Sequence, residues 1–516
     1  MRTVARLTVD QVDVQRALAF QLPQLRQGCL VPLLDRDSDS DVMHVAVSAD
    51  RPLPWPLMDD VRRKFGCEVI PVLAPEEQIL LVLNQVFDMA SASAEKMLED
   101  LVEEGDLVRE IEEVGDLLEA DDDAPVIRLV NTLISQALKD RASDIHIEPF
   151  EKEVKVRFRI DGVLHTVVHP PKGVQAALIS RIKVMAGLDI AEKRHPQDGR
   201  FRVRIAGRDV DVRVSVLPTA FGERVVLRLL DRGMRMLTLT ELGMSDAQLK
   251  LIRRAVHAPH GIALVTGPTG SGKSTTLYAA LMEVDRKNRN VMTIEDPIEY
   301  QLEGVGQMQV QPKIGVDFAT GLRSILRQDP DIVMIGEIRD LETAEIAIQA
   351  SLTGHLVFAT LHTNDALSSI VRLQDMGVES YLVASSLLLV QAQRLVRRLC
   401  PHCRRAREPR AEDWLALNVD PGRFSHVQTI YDAVGCAHCM QTGYWGRIAI
   451  YEMTMISDAL RNLIHEGKGL LALRRQARKE GMQSLREDGA RHVEAGLTTV
   501  DEVLRVAREE AVVVEA

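Results

Sequence analysis

Apolar residues recur along this chain in three rhythms. Between 153 and 229 they alternate with charged residues, as in Glu153-Val154-Lys155-Val156-Arg157-Phe158-Arg159-Ile160, Phe201-Arg202-Val203-Arg204-Ile205 and Val210-Asp211-Val212-Arg213-Val214. Arg224-Val225-Val226-Leu227-Arg228-Leu229 adds a further basic strand. A period of two sends successive side chains to opposite faces, which predicts half-buried strands with one mainly cationic face. Between 262 and 362 the apolar residues come instead as short unbroken runs, at 262–266, 290–295, 331–336 and 356–362. Helical patterns lie between the runs, which is how a parallel α/β sheet reads. The third rhythm is helical, at 78–88, at 126–139 and again at 98–123, where Leu101, Val102, Leu107, Val108, Ile111, Val114, Leu117 and Leu118 recur mostly three or four residues apart.

Composition changes this picture in three places. A chain of 516 residues holds about three to five domains. The rhythms divide it into a small N-terminal α+β domain at 1–95, an acidic helical linker at 96–123, a helix-then-strands domain at 124–235, a parallel-sheet α/β core at 236–395, a cysteine-bearing subdomain at 396–445 and a helical region at 446–516. The net charge of −12 resides wholly in residues 98–123, which hold thirteen acids and one base, Arg109. A neutral body and an aromatic content of 4% argue against a general binder of nucleic acid. No run approaches the roughly 18–20 apolar residues of a membrane-spanning helix; 381–390 is broken by Ser385 and Ser386. Residues 1–6 lack the apolar core of a signal peptide. These features predict a cytosolic protein that meets a membrane only through partners.

The chemistry centres on Gly267-Pro268-Thr269-Gly270-Ser271-Gly272-Lys273-Ser274-Thr275, which fits G-x-x-x-x-G-K-[ST] between a strand and a helix. The glycines let backbone N–H groups turn inward onto phosphates, and the helix start adds its positive dipole end. Lys273 would reach the β- and γ-phosphates of ATP, and the Ser274 hydroxyl would sit on Mg²⁺. Hydrolysis also needs carboxylates, to help hold Mg²⁺ and to orient water. Glu299, in Glu295-Asp296-Pro297-Ile298-Glu299, and Glu337, ending the run 331–337, are the candidates. Glu337 is assigned to Mg²⁺ and Glu299 to water, with the reverse assignment open. His355 and His362 stand at the two ends of the run 356–362, where His362 could sense the γ-phosphate or be structural. Arg213, Arg228, Arg323 and Arg327 are candidate phosphate sensors, with surface ion pairing as the alternative. Cys29 and Cys67 read as small buried hydrophobes. Cys400-Pro401-His402-Cys403 and Cys436-Ala437-His438-Cys439 are two C-x-x-C pairs with 32 residues between them. Four thiolates suit tetrahedral Zn²⁺, with His402 and His438 outside the ligand set; disulfides are disfavoured in a reducing compartment.

At these motifs the chain resembles the secretion ATPases of bacterial type II secretion systems, in the wider family that includes the type IV pilus extension and retraction ATPases. The resemblance rests on the phosphate loop, the box 295–299, Gly336-Glu337-Ile338-Arg339-Asp340 and the segment 354–362. Upstream it rests on Ala142-Ser143-Asp144-Ile145-His146-Ile147-Glu148-Pro149, Arg159-Ile160-Asp161-Gly162 and Pro196-Gln197-Asp198-Gly199-Arg200. It implies a RecA-like core preceded by a PAS-like domain, a homo-hexameric ring, nucleotide held between those two domains, and arginines matching Arg213 and Arg228 that reach the phosphates. It also implies that the N-terminal domain docks on an inner-membrane secretion protein and that hydrolysis drives pseudopilus assembly. A tetracysteine subdomain marks extension and secretion ATPases of this family and is lacking from retraction ones. A pilus extension ATPase and, from another class, a RecA-type DNA translocase are the rival readings.

Overall fold

A computed structural model describes residues 42–90, 125–205, 208–231 and 236–507, with parts of 2–34. The acidic segment expected to be helical, 98–123, lies outside the described residues. Two compact units are distinguished, Met1–Gly233 and Met234–Ala516.

In the first unit a four-stranded sheet runs in the order β1 (Arg2–Thr3), β4 (Glu68–Ala74), β3 (Val42–Ser48), β2 (Leu30–Pro32). Helices Trp55–Phe65 and Glu76–Ala90 accompany it. Cys29 is buried and Cys67 half-buried. The alternating stretches form a second sheet, β7 (Val163–Val168), β6 (Val154–Ile160), β5 (Asp144–Pro149), β10 (Gly222–Asp231), β9 (Arg208–Thr219), β8 (Gln197–Ile205). Every pairing in it is antiparallel. Phe158, Ile145, Leu227, Val212 and Val214 point from one face into a core shared with helices Pro125–Lys139 and Gln175–Met185.

The opposite face carries the arginines, and many of them face acids. Arg228 bonds Asp144 at 2.8 Å, Arg157 and Arg224 each reach Glu148 at 2.6 Å, and Arg202 meets Asp211 at 2.9 Å. The cationic face expected from the alternation is therefore an interleaved charge lattice. Arg213 lies opposite both Arg228 and Arg200 in the ladder.

The second unit is built on a seven-stranded sheet. Its order is β13 (Gly306–Gln309), β12 (Val291–Glu295), β14 (Ile332–Ile335), β15 (Leu356–Leu361), β11 (Gly261–Thr266), β16 (Leu387–Leu399), β19 (Tyr444–Met455). Strands β11, β14 and β15 are buried at every position, as the unbroken apolar runs require. Alternate residues feed two cores. Leu264, Val333 and Val357 face helices Phe318–Ile325, Leu341–Leu352, Ser380–Ser386 and Asp458–His465. Val265, Met334 and Phe358 face helices Asp246–Val256 and Lys273–Glu283.

The sheet departs from a purely parallel one at an edge, where β16 and β19 pair antiparallel over most of their length. The boundaries expected at 395 and 445 fall inside these two strands. The cysteine segment is thus an insertion between two strands of the core sheet. It holds β17 (Arg405–Arg407) paired with β18 (Ile430–Asp432), and its Trp414, Phe424 and Ile430 pack with Val493 and Val503 of helices Leu485–Glu494 and Val500–Val506.

Candidate functional site

The phosphate loop leaves β11 at its C-terminal end and enters helix Lys273–Glu283. Gly267, Gly270 and Gly272 all have positive φ. At Gly267 space excludes a side chain as well. An added Cβ would lie 2.6 Å from both the Gln393 carbonyl and Ser271 Oγ. The helix begins at Gly272 with no side chain on its first N–H groups. In contrast, Asp340 caps the helix after β14 by accepting from the Thr343 N–H at 2.8 Å. Ser271 Oγ is buried without a hydrogen-bond partner among the described residues. An uncapped helix start and an orphaned hydroxyl beside it suit an incoming oxyanion. Lys273 Nζ donates to the Gly267 and Pro268 carbonyls of its own loop at 2.8 and 3.2 Å. Burial pulls its ammonium down to about 8, with Glu337 opposing the shift and Arg394 adding to it.

The acids divide into two groups. Glu337, just past β14, is one: its Oε2 lies 3.2 Å from His362 Nε2, and its Oε1 pairs with Arg339, which also approaches Asp296 at 3.7 Å. Strands β14 and β15 are neighbours in register, so their C-terminal ends deliver Glu337 and His362 to one place. His355, at the other end of β15, contacts the Ala350 carbonyl at 2.9 Å and Thr353 Oγ1 at 3.2 Å, which is a structural role.

The second group surrounds Glu295. It is buried, and it accepts from Tyr278, from Thr293 Oγ1 at 2.6 Å and from Gln307 Nε2 at 3.0 Å. Burial and the adjacent Glu295 carboxylate raise the Tyr278 phenol. Glu299 follows in the next loop and donates its backbone N–H to the Tyr278 hydroxyl at 3.3 Å. The box 295–299 is therefore tied by Tyr278 to the helix that carries Lys273.

Several contributors were not singled out from sequence. Gln393 of β16 donates to the Ser271 carbonyl at 2.8 Å and accepts from Thr276 Oγ1 at 2.8 Å, clamping the loop from beneath. Thr266 Oγ1 accepts from the Thr363 N–H at 2.8 Å, joining the loop's strand to the residue after His362. The polar residues Gln391 and Gln393 inside an otherwise apolar run were the available signal. Arg323 is paired with Glu342 at 2.6 Å, and Arg327 bonds Ser324 Oγ at 3.2 Å. Arg213 and Arg228 belong to the first unit.

The four cysteines converge. Cys400 Sγ and Cys436 Sγ are 3.9 Å apart, Cys403 and Cys439 3.7 Å, and Cys436 and Cys439 3.8 Å. Zinc–thiolate bonds of about 2.3 Å place sulfurs about 3.8 Å apart in a tetrahedron, so the cluster fits Zn²⁺. None is in a disulfide. Burial raises the Cys439 thiol, but N–H groups of Cys436 and Gly443 donating at 3.2 Å, together with the neighbouring Cys403 and Cys436 thiols, outweigh it and bring it to about 6. His402 and His438 are in contact with ring centroids 4.2 Å apart and planes tilted by 57°, and His438 lies 4.2 Å from Trp445, tilted by 35°.

A phosphate loop at the C-terminal edge of a helix-flanked sheet, with a carboxylate–histidine pair at the ends of the two adjoining strands, defines the class of phosphate-loop ATPases. The comparisons narrow this. The profile of the family "Type II/IV secretion system protein" matches residues 119–505, and the chain belongs to that family. "Type II secretion system protein E" of Pseudomonas aeruginosa is 55% identical over 452 residues, covering 87% of this chain and 89% of that one. Its namesake in Klebsiella pneumoniae is 54% identical over 485 residues, covering 93% and 95%. Among solved structures, the pilus retraction motor PilT with bound ADP aligns with a TM-score of 0.51 at 28% identity, over 73% of this chain and 96% of that one. The Legionella pneumophila ATPase DotB shares the fold, with a TM-score of 0.55 at 21% identity, over 73% and 94%.

Proposed function

We propose that this chain is the ATP-hydrolysing motor of a type II secretion system, powering pseudopilus assembly and thereby protein export. The observation that carries the reading is the gathering of the 267–275 loop, Glu337 and His362 at one sheet edge, in a chain half identical to secretion proteins across most of its length. Bound ATP supplies the phosphoanhydride whose cleavage drives the motor. Lys273 and the loop N–H groups hold the phosphates. Ser274 and Glu337 hold Mg²⁺, Glu299 orients the attacking water, and His362 keeps Glu337 in place while responding to the γ-phosphate. Arg213 and Arg228 add positive charge toward the phosphates. Cys400, Cys403, Cys436 and Cys439 hold one structural Zn²⁺.

The working form is a homo-hexamer in the cytoplasm. It lies at the inner membrane through proteins docked on residues 1–95; among the described residues no helix is long and apolar enough to cross a membrane. The length of the match to secretion relatives favours this over a pilus extension ATPase.

The test is steady-state hydrolysis by wild type and Lys273→Ala, with secretion scored in a strain deleted for the native gene. Lys273→Ala is expected to lose at least about 100-fold in turnover and to abolish secretion. A Lys273→Ala variant that secretes normally would sink the reading. Stimulation of wild type by DNA would favour the translocase instead.

A further inference from the structure

Beneath the phosphate loop lies a cation to which no role has been given. Arg394 follows Gln393 on β16 and is only 8% exposed. Its Nη1 donates to the Gln393 carbonyl at 2.9 Å. Its Nη2 donates to the Asn364 carbonyl at 2.8 Å and to Asn364 Oδ1 at 3.3 Å. A Cβ added at Gly267 would come within 3.1 Å of Nη1, so the guanidinium packs directly under the loop's first residue. One side chain thus touches the start of the loop and the residue two beyond His362.

The charge itself is unusual. Among the described residues, no carboxylate forms an ion pair with Arg394. The two acids close enough to act on it are otherwise engaged. Asp365 takes Arg474 at 3.0 Å, with the N–H of Ser368 at 2.9 Å and its hydroxyl at 2.5 Å. Glu452, on β19, accepts the Ala366 N–H at 2.9 Å, and burial lifts its carboxyl to about 7. A guanidinium stays protonated even where burial opposes it, so this site keeps a positive charge satisfied only by carbonyl and amide oxygens. Such a charge is costly unless an anion arrives beside it.

We propose that Arg394 is a positioning residue of the hydrolytic site, holding the start of the phosphate loop against the His362–Asn364 end of β15 and setting a fixed positive charge behind Lys273. The proposal rests on the ATPase reading above. It gives a role to a buried cation on β16, a strand that borders β11 on the side away from β15 and supplies no group expected to touch the nucleotide. The charges bearing on Lys273 are then Glu337, itself held by Arg339 and His362, and Arg394.

The experiment measures hydrolysis against ATP concentration and pH for full-length wild type, Arg394→Gln and Arg394→Lys, with Lys273→Ala as reference. Arg394→Gln should lose about 10- to 100-fold in kcat with a smaller change in KM, as misplacement of a reacting group by up to about an ångström does. The alkaline limb of its kcat/KM profile should move to higher pH, because Lys273 loses a like charge. Arg394→Lys should keep the wild-type alkaline limb while recovering only part of kcat, since an ammonium carries the charge without the fork. Thermal melts report how much of each variant is folded. Arg394→Gln within two-fold of wild-type kcat, or losing activity only in proportion to folded protein with its alkaline limb unmoved, overturns the proposal. Lys273→Ala at wild-type activity overturns the ATPase reading and this proposal with it.

Discussion

Lys273 shows how one side chain ties local geometry to solution behaviour. Its ammonium normally titrates near 10.5, and burial in the loop lowers this to about 8. The unfolded chain therefore binds more protons between those values, so this residue makes the fold gain stability as pH rises through that window. Phosphate contact acts in the opposite sense, because it favours the charged form. Nucleotide binding at pH 8.5 should then take up a proton, and binding at pH 6.5 should not. Calorimetry in two buffers of different ionisation heat measures this directly, and equal proton uptake at both pH values would contradict it.

Legibility is sharpest at this scale for contiguous motifs. The nine loop residues announce themselves because one turn makes the whole cradle. Arg394 and Gln393 do not, since more than a hundred residues separate them from the loop and only strand order brings them under it.

At the scale of elements, hydrophobic rhythm carried most of the information. The unbroken runs at 262–266, 331–336 and 356–362 became buried strands, and the alternating ones became an antiparallel sheet with one wet face. What rhythm could not show is where a strand finds its partner. The run at 381–390 is half helix and half the start of β16, and its neighbour β19 lies across the cysteine insertion.

That insertion has two sources of stability. One is the Zn²⁺ proposed at the four converging cysteines. The other is the packing of Trp414, Phe424 and Ile430 on the helices that follow β19. Chelation should therefore loosen residues 404–435 and lower the melting temperature without unfolding the ATPase sheet, because the apolar contacts remain after the metal leaves. Metal analysis should find one zinc per chain before chelation. Hydrogen exchange should show protection lost at 404–435 and kept in β11 and β15. Loss of protection throughout 236–507 would show that the metal holds the whole unit.

For the whole molecule, the balance of charges matters more than any one pair. The excess of acids over bases lies in residues 98–123 and leaves a body of equal positive and negative charge. Within the sheet β5–β10 this balance is visible pair by pair, as arginines of β6, β8 and β10 meet Asp144, Glu148 and Asp211. Alternation within one strand shows its bases but not the acids that neighbouring strands set opposite them.

Assembly is the scale at which the proposed hexamer is decided. Light scattering should give about six times the chain mass of 57.5 kDa under conditions where hydrolysis is fast, and turnover per chain should rise with protein concentration. Turnover independent of concentration, with a monomer mass, would rule the ring out.

The pairing of β16 with β19 has a topological consequence. Leu399 and Tyr444 are register partners, and the Cys400 N–H donates to the Gly443 carbonyl at 2.9 Å. To the sheet, everything between those residues is one oversized hairpin turn. A chain can gain, lose or exchange material at such a place without altering the order of a single strand. The strand that enters the turn also carries Gln393 and Arg394, so whatever is grafted there hangs from the same ribbon that floors the phosphate loop.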